Sequence, residues 1–535
     1  MPRFNLKLMA ALAGSLAVAV CIFILAGTGA TSVVAVTPEV KQSQRGPKLP
    51  TAPAVSHSVQ AAEQLMATQA PPPAPGFIPL RTAMHPDLYK SLKSRAVSRL
   101  RQAVKPGGPL AALAPLAPPV LIGPNFNGFN SSKEGAMRPP DTHGAIGTTH
   151  FVEVTNSHVD MYRRTGSRAK SVTLNSFFKF KPVDPNNVTF DPRVVFDKGW
   201  NRWVITADAF TEPDGVQPFF IAVSQTADPT KAWWIYRIDD PGGAGNFWDF
   251  PMLGMDQDAV IISANVFDSG DNFIDCEMFA VAKVLLYNGH AFDRNMRTNL
   301  AFTTQPPIVL DQNPTTFLAS ADAFTAPTVV TLYALTNSSR DFASQTFTQS
   351  TINVPAFAAP PNAPQPGTAI TLDTADARFV NASTQVGDSL FQVHSLDDGG
   401  SSTPNWYEFN TATNGINNSG TFFTAPTSFD FNASIAANAN KDMFVTWTSV
   451  DATAGINAQA RFTGRLSTDP GGNLGAGTAL FTSPTFYTGF GLNPERWGDY
   501  SAVTIDPLDA TKAWVVNQTI LKNTVWSSRI GRVGF

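Results

Sequence analysis

From Pro119 onward, short runs of Val, Ile, Phe, Thr and Trp alternate with clusters of Asn, Gly, Asp and Pro. Brief apolar runs of β-branched and aromatic residues, bounded by turn formers, predict strands, and no 3.6-residue period competes with them. One stretch parses completely. An inner strand over 191–196 ends in the turn Asp197-Lys198-Gly199; a second strand covers 202–210, a third 219–226 and a fourth 233–238. Ala227-Asp228-Pro229-Thr230 joins the last two with good turn chemistry.

The pattern repeats. Thr206-Ala207-Asp208-Ala209-Phe210, Ser263-Ala264-Asn265-Val266-Phe267 and Ser320-Ala321-Asp322-Ala323-Phe324 follow one another at a spacing of 57 residues. A fixed period of this size, with about four strands per unit, predicts propeller blades, because one unit cannot bury both of its faces alone. Similar units fall at 141–176, 248–288, 305–354, 377–424, 428–482 and 496–534. The expected fold is therefore all-β, a seven-bladed β-propeller over 119–535, with six blades as the runner-up. The last unit ends after a third strand near 525–533. A strand at 120–129 is expected to complete it and so remove the last open edge.

The first 118 residues are different material. Arg3 and Lys7 precede an uncharged run over 8–25 and the small residues Thr28-Gly29-Ala30. This is the pattern of a secretory signal peptide over 1–30, with an uncleaved signal anchor as its rival. Either reading places the rest outside the cytoplasm: secreted, periplasmic or on the cell surface. A membrane enters only through this segment, if it is not cleaved. Residues 31–118 are rich in Pro and Ala and read as a disordered basic linker. Within it, 87–104 predicts a short basic helix carrying Lys90, Lys93, Arg95, Arg99 and Arg101, solvated, with electrostatic attachment to anionic lipid or to the acidic body as the alternative. Residues 1–118 hold 12 Lys/Arg and 3 Asp/Glu, whereas 119–535 hold 26 and 38. The acidic body argues against a nucleic-acid partner. Cys276 is the one cysteine outside the first apolar run, so no disulfide framework is available.

Ser224-Gln225-Thr226-Ala227-Asp228-Pro229-Thr230-Lys231-Ala232-Trp233 is similar to the Asp-box of sialidase-like (BNR) propellers, with a weaker echo at Ser467-Thr468-Asp469-Pro470-Gly471-Gly472. Together with Asp191-Pro192-Arg193 and Trp497-Gly498-Asp499-Tyr500-Ser501, the chain from 119 resembles that family, and most of all its secreted bacterial propellers. The resemblance implies two function classes. One is a ligand-binding or scaffold module whose partner is a glycan or a cell-surface protein. The alternative is a sialidase-like glycoside hydrolase acting on glycans with an Arg-clamped carboxylate. Activity does not follow from the fold.

Propeller geometry would bring the starts of the inner strands together at one end of the axis. They carry Asp141, His143, Asp191, Arg193, Asp249, Gln305, Arg378, Asp430, Arg496, Asp499 and Tyr500. The planar fork of arginine donates two parallel bonds to a carboxylate, so Arg193, Arg378 and Arg496, with Asp191 and Asp499, are the candidate ligand-binding set. By resemblance alone, Tyr500 would be the nucleophile and Asp141 the acid. The chain lacks the family's Arg-Ile-Pro segment, and no Glu falls near the axis. The structural alternative is that these acids and arginines pair with one another and lock the strand ends. No metalloprotease, nucleophile-elbow or phosphate-loop signature occurs. No cofactor is expected. Calcium is the exception to weigh, because Asp268, Asp271 and Asp275 lie in one loop and supply hard oxygen ligands. A solvated acidic turn explains that loop as well. Trp233, Trp234, Trp406 and Trp447 are expected to pack between blades.

Overall fold

The computed structural model describes residues 43–69, 117–132, 136–184, 187–472 and 474–535, together with Ile78, Arg81, Thr82, Tyr89 and Lys93. The expected signal over 1–30 lies outside the described residues, as does the 87–104 helix apart from Tyr89 and Lys93.

The described chain is all-β, a succession of antiparallel meanders. Sheet A holds His143–Ile146, His150–Val154, His158–Arg163 and Arg168–Thr173. Sheet B holds Thr189–Asp197, Arg202–Ala209, Pro218–Ser224 and Ala232–Asp239. Sheet C holds Phe247–Met255, Ala259–Phe267, Phe273–Ala282 and Phe292–Leu300. Sheet D holds Thr315–Ala321, Val329–Thr336 and Thr346–Asn353, preceded by Pro307–Val309. Sheet E holds Ser383–Val386, Ser389–Asp398, Ser401–Asn410 and Gly415–Thr421. Sheet F holds Phe429–Ala437, Met443–Asp451, Ile456–Arg465 and Thr478–Thr482. Sheet G holds Ala502–Ile505, Lys512–Lys522 and Val525–Gly534, and its outer strand is Val120–Asn130 from the other end of the body. Val120 pairs with Gly534 and Phe126 with Ile530, so the two ends of the body close on each other.

The first strands touch in chain order from A to G, and G touches A again. They line one common axis. Strand alternation sends successive side chains to opposite neighbours. In sheet B, Val194 enters the core against sheet A and Val195 the core against sheet C. The hydrophobic core is accordingly divided into slices between consecutive sheets, and the last slice joins G to A. Trp233, Trp406 and Trp447 are fully buried in these slices, and Trp234 packs against one. Sheet D departs from the pattern. After Gln305 bridges Ala319, Pro307–Val309 leaves its own sheet and runs parallel between the first strands of C and E. Gly254 permits this approach, since a Cβ there would fall on the Pro307 carbonyl.

The expectation of a disordered linker over 31–118 is corrected for 44–68. Gln44–Thr51 pairs with the outer strand of sheet C, and Val55–Ser58 with the outer strand of sheet B. The helix Val59–Thr68 follows, with Ser58 Oγ capping Ala61 N at 3.1 Å and Val59 and Ala62 in the A/B core. The outer strands of B and C present unpaired N–H and C=O groups, and the segment satisfies them. Its prolines, which suggest disorder by composition, are tolerated on edge strands. Lys93 departs from the solvated reading and fits the attached one. It is 4% exposed, and its Nζ donates to Pro360 O at 2.6 Å and Thr374 Oγ1 at 2.8 Å, so it is attached to the body rather than solvated.

Candidate functional site at the strand-entry end

The first strands of B, C and F each open with the same device. Register slips at Phe190/Arg193, Asp249/Met252 and Phe431/Ser434. A left-handed residue sits in each slip: Asp191 at φ 50°, Phe250 at φ 58° and Asn432 at φ 51°. A bulge re-aims side chains out of the alternation, and here it turns them toward the axis. This is the structural content of Asp191-Pro192-Arg193. Asp and Asn adopt the left-handed region at modest cost.

Four sheets meet at the centre. Tyr500, fully buried, donates its hydroxyl to Asp191 Oδ2 at 2.6 Å. The Arg193 guanidinium lies 3.3 Å from the centroid of the Tyr500 ring. Arg193 donates to Pro251 O at 2.9 Å and to Asn381 Oδ1 at 3.1 Å. Phe250 meets the Tyr500 ring edge-on at 5.1 Å. The contacts from B to E and from G to B join sheets that are not neighbours, so they cross the axis and divide it in two.

Around this crossing the charged candidates are paired within the chain. Arg378 grips Asp376 with two bonds of 2.7 Å, and both side chains are 2% exposed. Arg496 grips Asp499 at 2.6 and 2.8 Å, again buried. Asp141 accepts from Asp499 N at 2.6 Å and Asn156 Nδ2 at 2.5 Å. Arg81 reaches in from the N-terminal segment, 3.5 Å from Asp249, and its carbonyl accepts from Arg378 at 2.9 Å. Asp430 and Gln305 lie elsewhere. Asp430 accepts from Trp447 Nε1 at 2.7 Å, and Gln305 donates to Phe379 O at 2.9 Å.

Burial governs the electrostatics. It pushes the Asp141 carboxyl up to about 7, helped by the neighbouring Asp499 charge. Asp191 and Asp208 are driven well above the usual carboxylate range by burial and by neighbouring acids. Both Asp208 oxygens lack a hydrogen-bond partner among the described residues, which fits a carboxyl that stays protonated. Burial first, and then the Asp191 charge, raise the Tyr500 phenol. A nucleophilic tyrosine needs the opposite shift and access to substrate. Tyr500 has neither.

The sequence-predicted residues are thus brought together, with Tyr500, Asp191, Arg193, Asp141 and Asp499 in one network. Arg378 and Arg496 flank a small cavity of about 20 Å³, room for one water. His158, at the start of its strand, is buried and stacked on Phe129 at 4.2 Å. The calcium loop does not converge. Asp268 accepts from Gly270 N and Asn272 N, Asp271 pairs with Arg81, and Asp275 accepts from Asn299 N. Among the described residues, no group of three His, Cys, Asp or Glu is placed to hold a metal.

The sequence reading missed the lateral bonds between neighbouring sheets. Asn156 Oδ1 accepts from Asp191 N, and Asn432 Nδ2 donates to Gly498 O and Tyr500 O. Farther along the axis, His143 Nδ1 accepts from Val194 N, Thr384 Oγ1 from Ala437 N, Ser434 Oγ from Val503 N, and Thr504 Oγ1 from Ile146 N. In each case a polar side chain of one first strand caps the free edge of the next. Aligning Asp191-Pro192-Arg193 with Asn432-Ala433-Ser434 is the signal that could have found them.

Neither a protein-family model nor a curated protein sequence matches the chain. Solved structures do. The hemagglutinin-neuraminidase ectodomain of parainfluenza virus 5 is 12% identical at TM-score 0.35, covering 69% of this chain and 87% of its own. A protein of unknown function from Dyadobacter fermentans is 10% identical at TM-score 0.36, covering 65% and 94%. Trypanosoma rangeli sialidase is 11% identical at TM-score 0.32, covering 64% and 54%. At these scores the likeness carries no assignment of function.

Proposed function

We propose that the chain is an extracytoplasmic seven-bladed β-propeller of sialidase-like type that serves as a ligand-binding or scaffold module, with a glycan or a cell-surface protein as its partner. Support for seven blades comes from the seven consecutive first strands, the core slices between successive sheets and the closing strand Val120–Asn130. One observation favours binding or scaffolding over hydrolysis. Arg378 and Arg496, two members of the would-be carboxylate clamp, already hold buried carboxylates of their own chain. A bidentate Arg–carboxylate pair leaves little of the fork for a ligand. The test is glycan-array binding alongside turnover of a fluorogenic sialoside by the full chain. The expected result is no turnover. Turnover that Tyr500→Phe abolishes would establish the hydrolase instead.

A further inference from the structure

Below the Tyr500–Arg193 crossing the axis opens into a second space, a cavity of about 550 Å³. All seven sheets contribute to its wall, including Ala145, Val194, Met255, Ile308, Ile435 and Val503. Its floor is buried at His143, Asn381 and Ser434, and its mouth is exposed at Lys198, Leu310, Ala439 and Ala510. The volume lies within the range of pockets for small organic ligands, roughly 300–1,000 Å³.

Three observations define what would fit. First, the wall is mostly apolar, and the edge N–H groups of Ile146, Val194, Ala437 and Val503 are capped by side chains of the adjoining strands. Donors that line a strand edge would otherwise call for water. Second, the acids of the lining are paired. Asp197 holds Lys283 at 2.7 Å and accepts from Tyr287 at 2.8 Å, Asp506 pairs with Arg532 at 3.3 Å, and Asp256 accepts from Thr316 at 2.7 Å. Third, three of the exposed lining residues at the mouth are apolar, Leu310, Ala439 and Ala510, beside the single charge of Lys198. At the floor, His143 lines the cavity and its Nδ1 accepts the Val194 N–H, so the neutral ring carries its proton on Nε2 as a donor.

We infer that this cavity is a binding site for an uncharged, largely apolar small molecule, lipid-like in its chemistry, with a hydrogen-bond acceptor at its leading end for His143 Nε2. The site shares Asn381 with the crossing, but the charged side chains of the network do not line it. The test uses the full chain and the neutral dye Nile red, with dodecan-1-ol as competitor. The expected result is saturable binding of one dye per chain, displaced by dodecan-1-ol. Obstructing or charging the mouth by Ala439→Trp or Leu310→Glu should weaken binding at least tenfold. Both positions are exposed, so the fold should survive. Val183→Ser, at an exposed apolar position outside the lining, should leave binding unchanged. Absence of saturable binding, binding indifferent to both mouth variants, or displacement by dodecanoate as readily as by the alcohol would each overturn the proposal.

Discussion

The two ends of the axis are built from the same seven strands and solve opposite problems. At the strand-entry end, bulges at Asp191, Phe250 and Asn432 turn polar side chains inward, and acids and arginines fill the centre. At the exit end the strands run regularly, small apolar residues face the axis, and side chains cap the edge donors. One end is packed with charge and closed; the other is apolar and open. The difference shows that charge gathered on an axis is not by itself a site. A buried ion pair contributes little net stability but cannot lose one partner cheaply. The crowded end therefore behaves as a lock, and the space for a ligand lies where charge was not expected to matter.

The largest effect expected is at the lock. Arg378→Ala or Arg496→Ala leaves Asp376 or Asp499 buried without its partner. Each should lower unfolding stability by about 3–5 kcal/mol in denaturant titration. A loss under about 1 kcal/mol for both would mean that the arginines are solvated and free for an anion, and the lock reading would fail.

The second effect concerns pH. The Asp141 carboxyl, pushed up to about 7, keeps its proton in the folded state over a range where the unfolded chain releases it near pH 4. Its contribution to stability is therefore full below about pH 4 and is lost as pH rises through about 7. Buried His394, lowered to about 4, runs the other way and costs stability as pH falls from about 6.5. A pH curve of the native protein mixes these with other buried acids, among them Glu277, raised to about 7, and Glu153, raised to about 8. The difference between native protein and Asp141→Asn isolates one. The variant should gain on the native protein between pH 4 and 7 and hold a constant offset above pH 8. A constant offset throughout would show that Asp141 titrates normally and is not desolvated.

Much of the scaffold was legible because strand alternation and turn chemistry are local. The 57-residue spacing marked three second strands correctly, and the missing strand of the last unit was placed near 120–129, as observed in Val120–Asn130. The site was legible only as a gathering of residues. Whether Arg378 faces a ligand or Asp376, two positions away, depends on backbone direction, which composition and spacing do not carry. The N-terminal strands were missed for a related reason. Averaged over 31–118, Pro and Ala hide the stretch 44–68, whose pairing is decided by open edges on sheets B and C far away in the chain.

The smallest effect bears most directly on the open end. Thr384→Val, Ser434→Ala and Thr504→Val each remove the oxygen that caps a buried edge N–H, on Ala437, Val503 and Ile146 respectively. A buried donor left without a partner costs about 1–3 kcal/mol. The bonds here are long, 3.2–3.3 Å, which places the expected loss near 1 kcal/mol for each variant. The outcome depends on what fills the cavity. In an apolar space no water stands ready to replace the missing oxygen, so the loss should appear in full. In a wet channel an ordered water would take over the N–H at little net cost, and all three variants would unfold like the native protein. Denaturant unfolding of the three thus reads the polarity of the open end without any ligand. Losses near zero in all of them would make both ends of the axis polar, and the contrast between them would reduce to one of packing.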